Sequence, residues 1–208
     1  MIHKGHSGVT KIPYVCAGCN NGWMSRMEMR ARPFLMPLIQ GLPRSINTFD
    51  LKVLAGWIAK TVMVGEYIHP NAVATPDAER LHMYANFEPP PNWAIWIADY
   101  RGSKWRNLSM FHHMGKILPP KSPEPSDSVM PDTHFTSIGI GRLFIQVTAT
   151  NTGLVIETEN DALRRIWPLT GLALSWPPAR FIDDEEADFI ANSFSRIMKL
   201  PHGGTAFM

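Results

Sequence analysis

The feature that most constrains this chain is its single pair of cysteines, Cys16 and Cys19. They stand within residues 15–25, which read VCAGCNNGWMS, a C-x-x-C turn followed by the start of a helix. A structural zinc site takes four ligands, and a C-x-x-C turn supplies two of them, because the spacing lets both thiolates point at one ion. The sequence therefore predicts half of a zinc site, whose remaining ligands lie elsewhere.

The nearest upstream ligand candidates are His3 and His6. With Cys16 and Cys19 they would complete a Cys2His2 zinc site, although histidines preceding cysteines reverse the usual finger order. The alternatives are a polar, frayed N-terminus for the histidines and reduced thiols or a disulfide for the cysteines. A thioredoxin-like redox role is less favoured, because no β-α-β pattern surrounds the motif.

The cysteine motif and several later segments resemble a family of bacterial and phage proteins related to HNH endonucleases. The similar segments are residues 15–28, 32–35, 54–61, 166–168 and 176–178. They span most of the chain, but only the run CNNGWMS is specific. The resemblance implies a zinc-supported treble clef in which Cys16 and Cys19 match the second knuckle and Asn20 the asparagine that follows it.

The chain departs from this family where the catalysis would lie. An HNH nuclease needs a histidine general base and a hard divalent ion, and the resemblance places that base upstream of the knuckle. His3 or His6 can serve as the base only if it is not a zinc ligand. We therefore expect a derivative without nuclease activity, and the alternative is a minimal metal-dependent nuclease that uses His3 or His6.

The charge is unevenly distributed along the chain. Six basic residues and one acid give residues 1–45 a charge of +5, whereas 14 basic and 17 acidic residues give the remainder −3. A basic surface is what contact with phosphates requires. We expect this segment to bind nucleic acid or a nucleoprotein complex, and the alternative is an ordinary solvated helix face. The expected contacts are Lys11, Arg26, Arg30 and Arg32.

Length and composition predict one sizeable core, since the chain has 208 residues of which 45% are apolar. The predicted class is α+β, with an N-terminal knuckle and helices, a mainly antiparallel sheet of about four or five strands and a C-terminal helix. Residues 1–45 are predicted to form a basic module resembling half of a treble clef. Residues 46–208 form the α+β domain, with a proline-rich loop at 119–132.

Local patterns place the individual elements. The first predicted helix begins at Asn20 or Asn21 and breaks near Pro33. The second covers residues 50–68. The third starts after a cap at Thr75, and the fourth follows a cap at Asp183. The predicted strands cover residues 93–98, part of 105–118, 135–149 and 153–157.

Several polar side chains have both a functional and a structural interpretation, and we favour the structural one. His112 and His113 are adjacent on a strand and point to opposite faces, so they cannot share one ion, and we expect both to be partly exposed. Lys60 is expected to extend its amine to solvent. The acidic run at 183–186 is expected to favour the helix dipole rather than a metal.

Tryptophans beside prolines support a third functional hypothesis. Trp167 and Trp176 each precede a proline, and exposed tryptophans are frequent hot spots in protein interfaces. They suggest a phage-encoded interaction module that inhibits a host defence complex. The sequence shows neither a stretch of about 20 apolar residues nor a signal peptide, and its few cysteines fit a reducing compartment, so we expect a cytoplasmic location.

Overall fold

The structure, a computed structural model, describes residues 14–68, 70–115, 131–151, 160–193 and 205–207. Its main element is a seven-stranded sheet with helices on both faces. The predicted α+β class, with a mainly antiparallel sheet and a C-terminal helix, is confirmed. None of the helices in the described ranges is long and apolar enough to cross a membrane.

The described helices are clustered in the first half of the chain, and one more lies near its end. They are α1 (Ala17–Cys19), a π-helical turn (Asn20–Met24), α2 (Ser25–Gln40), α3 (Thr48–Gly65), α4 (Asp77–Asn86) and α5 (Asp184–Ser193). Short 3-10 turns at Glu66–Ile68 and Pro70–Ala72 follow α3. Helix α3 is capped by the side chain of Asn47, which accepts a hydrogen bond from the Asp50 amide.

The predicted break at Pro33 is wrong, because α2 continues through Pro33 and Pro37. A proline in a helix removes the bond to the carbonyl four residues earlier, here that of Met29 or Pro33. Both of those residues are exposed, so water can satisfy their carbonyls. The predicted helix start is also shifted, since the side chain of Cys16 rather than an asparagine caps α1.

Two sheets are present in the described residues. The strands are β1 (Arg44–Ile46), β2 (Trp93–Tyr100), β3 (Ser109–Gly115), β4 (Thr133–Ile140), β5 (Leu143–Thr150), β6 (Arg164–Trp167), β7 (Leu174–Trp176), β8 (Phe181–Ile182) and β9 (Thr205–Phe207). The large sheet has the order β6-β2-β5-β4-β3-β9, and β8 pairs with β2 as its one parallel neighbour in the described residues. Strands β1 and β7 form the small antiparallel sheet.

The predicted single strand at 135–149 is instead a hairpin of β4 and β5. Its two-residue turn consists of Gly141 and Arg142, and Gly141 has a φ of +58°. A side chain at Gly141 would also collide with the Ile39 carbonyl oxygen at the end of α2, so only glycine fits this turn. The predicted strand at 153–157 lies outside the described residues.

Each face of the large sheet buries a hydrophobic layer. Helices α2 and α3 cover one face with residues such as Phe34, Leu38 and Leu54, which meet Ile95 and Ile145 of the sheet. Helix α5 covers part of the other face, where Trp96, Tyr100, Phe144 and Ile190 are buried. The described part of the N-terminal segment therefore shares its core with the sheet.

Helix α5 is attached to the sheet through its first residue. Asp183 caps the helix as predicted, because its Oδ1 accepts hydrogen bonds from the amides of Glu185 and Glu186. The next carboxylate, Asp184, accepts bonds from Tyr100 Oη and from the Ser103 and Lys104 amides in the turn after β2. These bonds, that of Tyr100 first, lower the pKa of Asp184 to about 2.

We expect Asp184→Asn to destabilise the protein by about 1–2 kcal/mol at pH 7, because several hydrogen bonds lose a charged acceptor. A lowered pKa contributes stability above the unfolded-state value, which is lost as the pH falls through the folded-state value. The difference from wild type should therefore shrink between pH 4 and pH 2. Urea unfolding across this range measures it, with exposed Glu185→Gln as the control for charge on the same turn. An equal loss at pH 7 and pH 2 would contradict the assignment.

Candidate functional site

The two cysteines lie at the N-terminus of α1. Cys16 is exposed, Cys19 is half-buried one turn later, and both are free thiols. The Cys19 amide donates a hydrogen bond to Cys16 Sγ over 3.2 Å. Hydrogen bonds from the Cys19 amide and thiol lower the pKa of Cys16, and the thiol bond to Cys16 raises the pKa of Cys19. Cys16 is therefore the cysteine that ionises first.

The cysteines border an open groove of about 290 Å³. Its walls are aromatic, aliphatic and thioether side chains with two cations, Lys60 and Arg80. The rings of Tyr14 and Tyr67 stack in it with centroids 4.7 Å apart. The guanidinium of Arg80 lies over the ring of Tyr67 at 4.7 Å.

The expectation that Lys60 extends into solvent is wrong, because its side chain is buried in the groove wall. Its amine donates to Glu28 Oε1 over 2.7 Å, joining α3 to α2. A buried amine needs such a partner, since an unpaired charge would cost several kcal/mol. Within the described residues Glu28 therefore forms its ion pair with Lys60 and none with the arginines of α2.

The predicted histidine ligands of the cysteine site, His3 and His6, lie outside the described residues, as does Lys11. Within the residues that the structure describes, no group of three or more metal-ligating side chains includes Cys16 or Cys19. The Cys2His2 site therefore stays a prediction.

A second polar centre lies under the sheet-facing end of α3. Glu66 follows the last residue of α3 and is only 1% exposed, and His112 and His134 reach it from β3 and β4. Each Nε2 lies 3.9 Å from Glu66 Oε1. The three ligand atoms are within 4.8 Å of one another, so this cluster can hold a metal ion.

Glu66 is held by two groups from the segment that follows α3. The Thr75 hydroxyl donates to Oε1 over 2.7 Å, and Arg80 Nη2 donates to Oε2 over 2.6 Å. Thr75 was predicted to cap α4, but its side chain bonds Glu66 instead, and Pro76 occupies the cap position. Burial raises the pKa of Glu66 to about 7 against the opposing effect of these bonds.

Both histidines of the cluster point to the face of the sheet that α2 and α3 cover. The expectation that His112 and His113 are partly exposed is wrong, since they are only 2% and 5% exposed. His112 Nε2 donates a hydrogen bond to the Ala72 carbonyl oxygen over 3.0 Å, and Nδ1 is hydrogen-bonded to Thr136 Oγ1 over 2.7 Å. Burial lowers the pKa of His112 to about 4 and that of His134 further, so both are neutral at pH 7.

Sequence reasoning missed this cluster. Its residues are separated by 46 and 22 positions, and no short motif joins them. They meet because His112 and His134 have the same side-chain direction on paired strands, in which His112 lies opposite Thr136 and Met114 opposite His134. The available signal was one histidine on each of two strands, but their partner at the end of α3, Glu66, could not be predicted from the sequence spacing.

The other predicted site residues differ in their exposure to solvent. Arg26, Arg30 and Arg32 are exposed on α2, as contact with nucleic acid requires. Trp176 is 3% exposed and lies in the core, so it cannot be the exposed anchor that was predicted. Trp167 is half-buried, and its indole nitrogen lies 3.4 Å from the Pro90 carbonyl oxygen.

Comparison of the chain with protein-family models, with curated proteins and with solved structures finds no match. The similarity to HNH-related proteins therefore stays a prediction from the CNNGWMS run. The functional argument depends on the geometry of the residues alone.

We expect Cys16 to be alkylated by iodoacetamide faster than Cys19 at pH 8 in the presence of EDTA. Cys16 is exposed and has the lower pKa, and the thiolate is the reactive form. Peptide mapping by mass spectrometry at successive times measures the two rates.

Cys19→Ala keeps the amide donor but removes the thiol donor, so it should slow the reaction of Cys16 at pH 7. Cys16→Ala is the matched control for the rate at Cys19. Faster alkylation of Cys19 than of Cys16 in the wild type would show that the assignment of the thiolate is wrong.

Proposed function

We propose that this protein binds nucleic acid through an arginine surface on α2 and has no nuclease activity of its own. The arginine surface consists of Arg26, Arg30 and Arg32. The observation that carries the proposal is that all three are exposed while the only acid of α2, Glu28, is bonded to Lys60.

The position of the arginines follows from the packing of α2. Its buried residues, Met27, Ala31, Phe34, Leu35 and Leu38, form one stripe that faces the core. At 100° per residue, Arg26 and Arg32 fall on the opposite half of the helix, one on each flank, and Arg30 lies on the same flank as Arg26 at the edge of that half. Helix packing therefore directs these three guanidinium groups away from the core.

The arginine surface has uncompensated charge. None of its three members forms an ion pair within the parts of the chain that the structure describes. A free guanidinium offers two parallel N–H donors to a phosphate, and each neutralised phosphate releases counterions. Exposed Met29 and Met36 on the same half of α2 add apolar contact area beside the charges.

In this proposal the cysteine pair fixes the start of the helical segment that α1 and α2 form. Cys16 and Cys19 offer two thiolates to a zinc ion, and His3 and His6 are the other ligands proposed from the sequence. A zinc ion bound by these residues would fix the first helical turn, which precedes the arginine surface in the chain. This role is structural and needs no catalytic histidine.

A protein partner is the second candidate. It is favoured by large apolar side chains exposed on α2 and α3, above all Met29, which is 64% exposed, and Phe49, which is 73% exposed. Such a partner would fit an inhibitor of a host defence complex. Binding of this kind would depend weakly on salt, because it requires few displaced counterions.

We expect a fluorescent DNA duplex of about 20 base pairs to bind the protein with a logarithmic salt dependence, measured by anisotropy between 50 and 200 mM NaCl. Replacing Arg26, Arg30 and Arg32 by Gln should weaken binding by at least about tenfold. Each lost phosphate contact should also reduce the slope of log K against log salt by about 1.

The matched control is Arg164→Gln, which removes the same charge from an exposed position on β6. It should change binding less than Arg30→Gln does. A flat salt response, or equal effects of these two substitutions, would contradict the proposed surface. Cleavage of a plasmid in the presence of Mg²⁺ that disappears in His6→Ala would show that the nuclease alternative is correct.

A further inference from the structure

One buried imidazole in the second polar centre has no hydrogen-bond partner. His134 is 2% exposed, and neither of its ring nitrogens has a partner in the residues that the structure describes. Its ring packs edge-on against Trp93 with centroids 4.9 Å apart. Buried polar groups are normally paired, and an exception points to a missing water or ion.

Two further ligand atoms converge on the same place. Glu66 Oε1 lies 3.9 Å from Nε2 of both His134 and His112. We propose that Glu66, His112 and His134 bind a structural zinc ion. Two imidazoles and one carboxylate are an established donor set for zinc.

The distances are close to those that zinc needs. With bonds of about 2.0–2.1 Å, the ligand atoms of a tetrahedral site lie about 3.3 Å apart. Each of the two separations of 3.9 Å must therefore shorten by roughly half an ångström, and the separation between the histidines, at most 4.8 Å, by up to about 1.5 Å. Side-chain rotation can supply a movement of this size.

The outer contacts of His112 suit a ligand role. Nε2 donates a hydrogen bond to the Ala72 carbonyl oxygen, so zinc binding must move the ring proton to Nδ1, where Thr136 Oγ1 at 2.7 Å can accept it. The Ala72 carbonyl oxygen, 3.0 Å from Nε2, accepts its hydrogen bond where the ion would lie, so it must shift outward to become the fourth ligand. Zinc would then join the end of α3, the Pro70–Ala72 turn, β3 and β4.

Arg80 must move when zinc binds. It now neutralises Glu66, so a divalent ion beside it would leave excess positive charge in a buried place. Its side chain is 19% exposed and lines the groove next to the cysteines. The guanidinium can therefore turn outward into the groove and leave the carboxylate to the metal.

The test uses a full-length variant in which Cys16→Ser and Cys19→Ser remove the competing thiolate site. After dialysis against zinc, this variant should retain about one equivalent by elemental analysis. Adding His134→Asn or Glu66→Gln should abolish retention.

His113→Asn is the matched control. His113 neighbours His112, is buried and also lacks a hydrogen-bond partner, but it points to the other face of the sheet. In the described residues no further ligands converge on it. This variant should bind zinc as the double-serine background does.

Two measurements do not depend on whether the ligand variants fold. In imidazole ¹⁵N spectra of the double-serine variant, zinc should shift the signals of His112 and His134 and spare those of His113. In the double-serine variant that also carries Arg80→Gln, zinc should raise the melting temperature by several degrees, since the metal replaces the lost partner of Glu66. Retention below about a tenth of an equivalent, unchanged imidazole signals, or no stabilisation of Arg80→Gln would each overturn the proposal.

Discussion

The ion pair between Glu66 and Arg80 is the interaction on which the arrangement of the helix layer depends. Arg80 donates to Glu66 over 2.6 Å and, through its other terminal nitrogen, to the Met63 carbonyl oxygen over 2.8 Å. It therefore satisfies one of the carbonyls left unpaired at the end of α3 and fixes α4 against that end. Removing one partner of a buried ion pair typically costs several kcal/mol, because the other charge is left unpaired.

The elements that could be predicted from the sequence are those with local signals. Helix α3 has an almost continuous apolar surface, so it was recognised to within three residues at each end, and α5 was recognised at its start by the Asp183 cap. The β4–β5 hairpin was missed because its turn residue, Gly141, lies inside one long apolar run. The glycine is explained by the approach of the Ile39 carbonyl, a contact between distant segments that no local pattern records.

Burial of polar side chains was the property least predictable from the sequence. Lys60, His112 and His113 were all expected nearer to solvent, on the general tendency of their residue types. Lys60 is buried because α2 supplies Glu28, and His112 because Thr136 and Ala72 supply bonds to its ring. The candidate metal cluster was therefore invisible from spacing, whereas the exposed arginines of α2 followed from composition and helical periodicity.

The two polar centres share a wall, and this connects the features found from sequence with those found from structure. Arg80 lines the groove beside Cys16 and Cys19, and on its other side it holds Glu66 next to His112 and His134. When this guanidinium turns outward, the positive charge in the groove increases and the positive charge beside the cluster decreases. Because Arg80 cannot fully satisfy both places, metal binding at Glu66 would favour an outward position of its side chain in the groove.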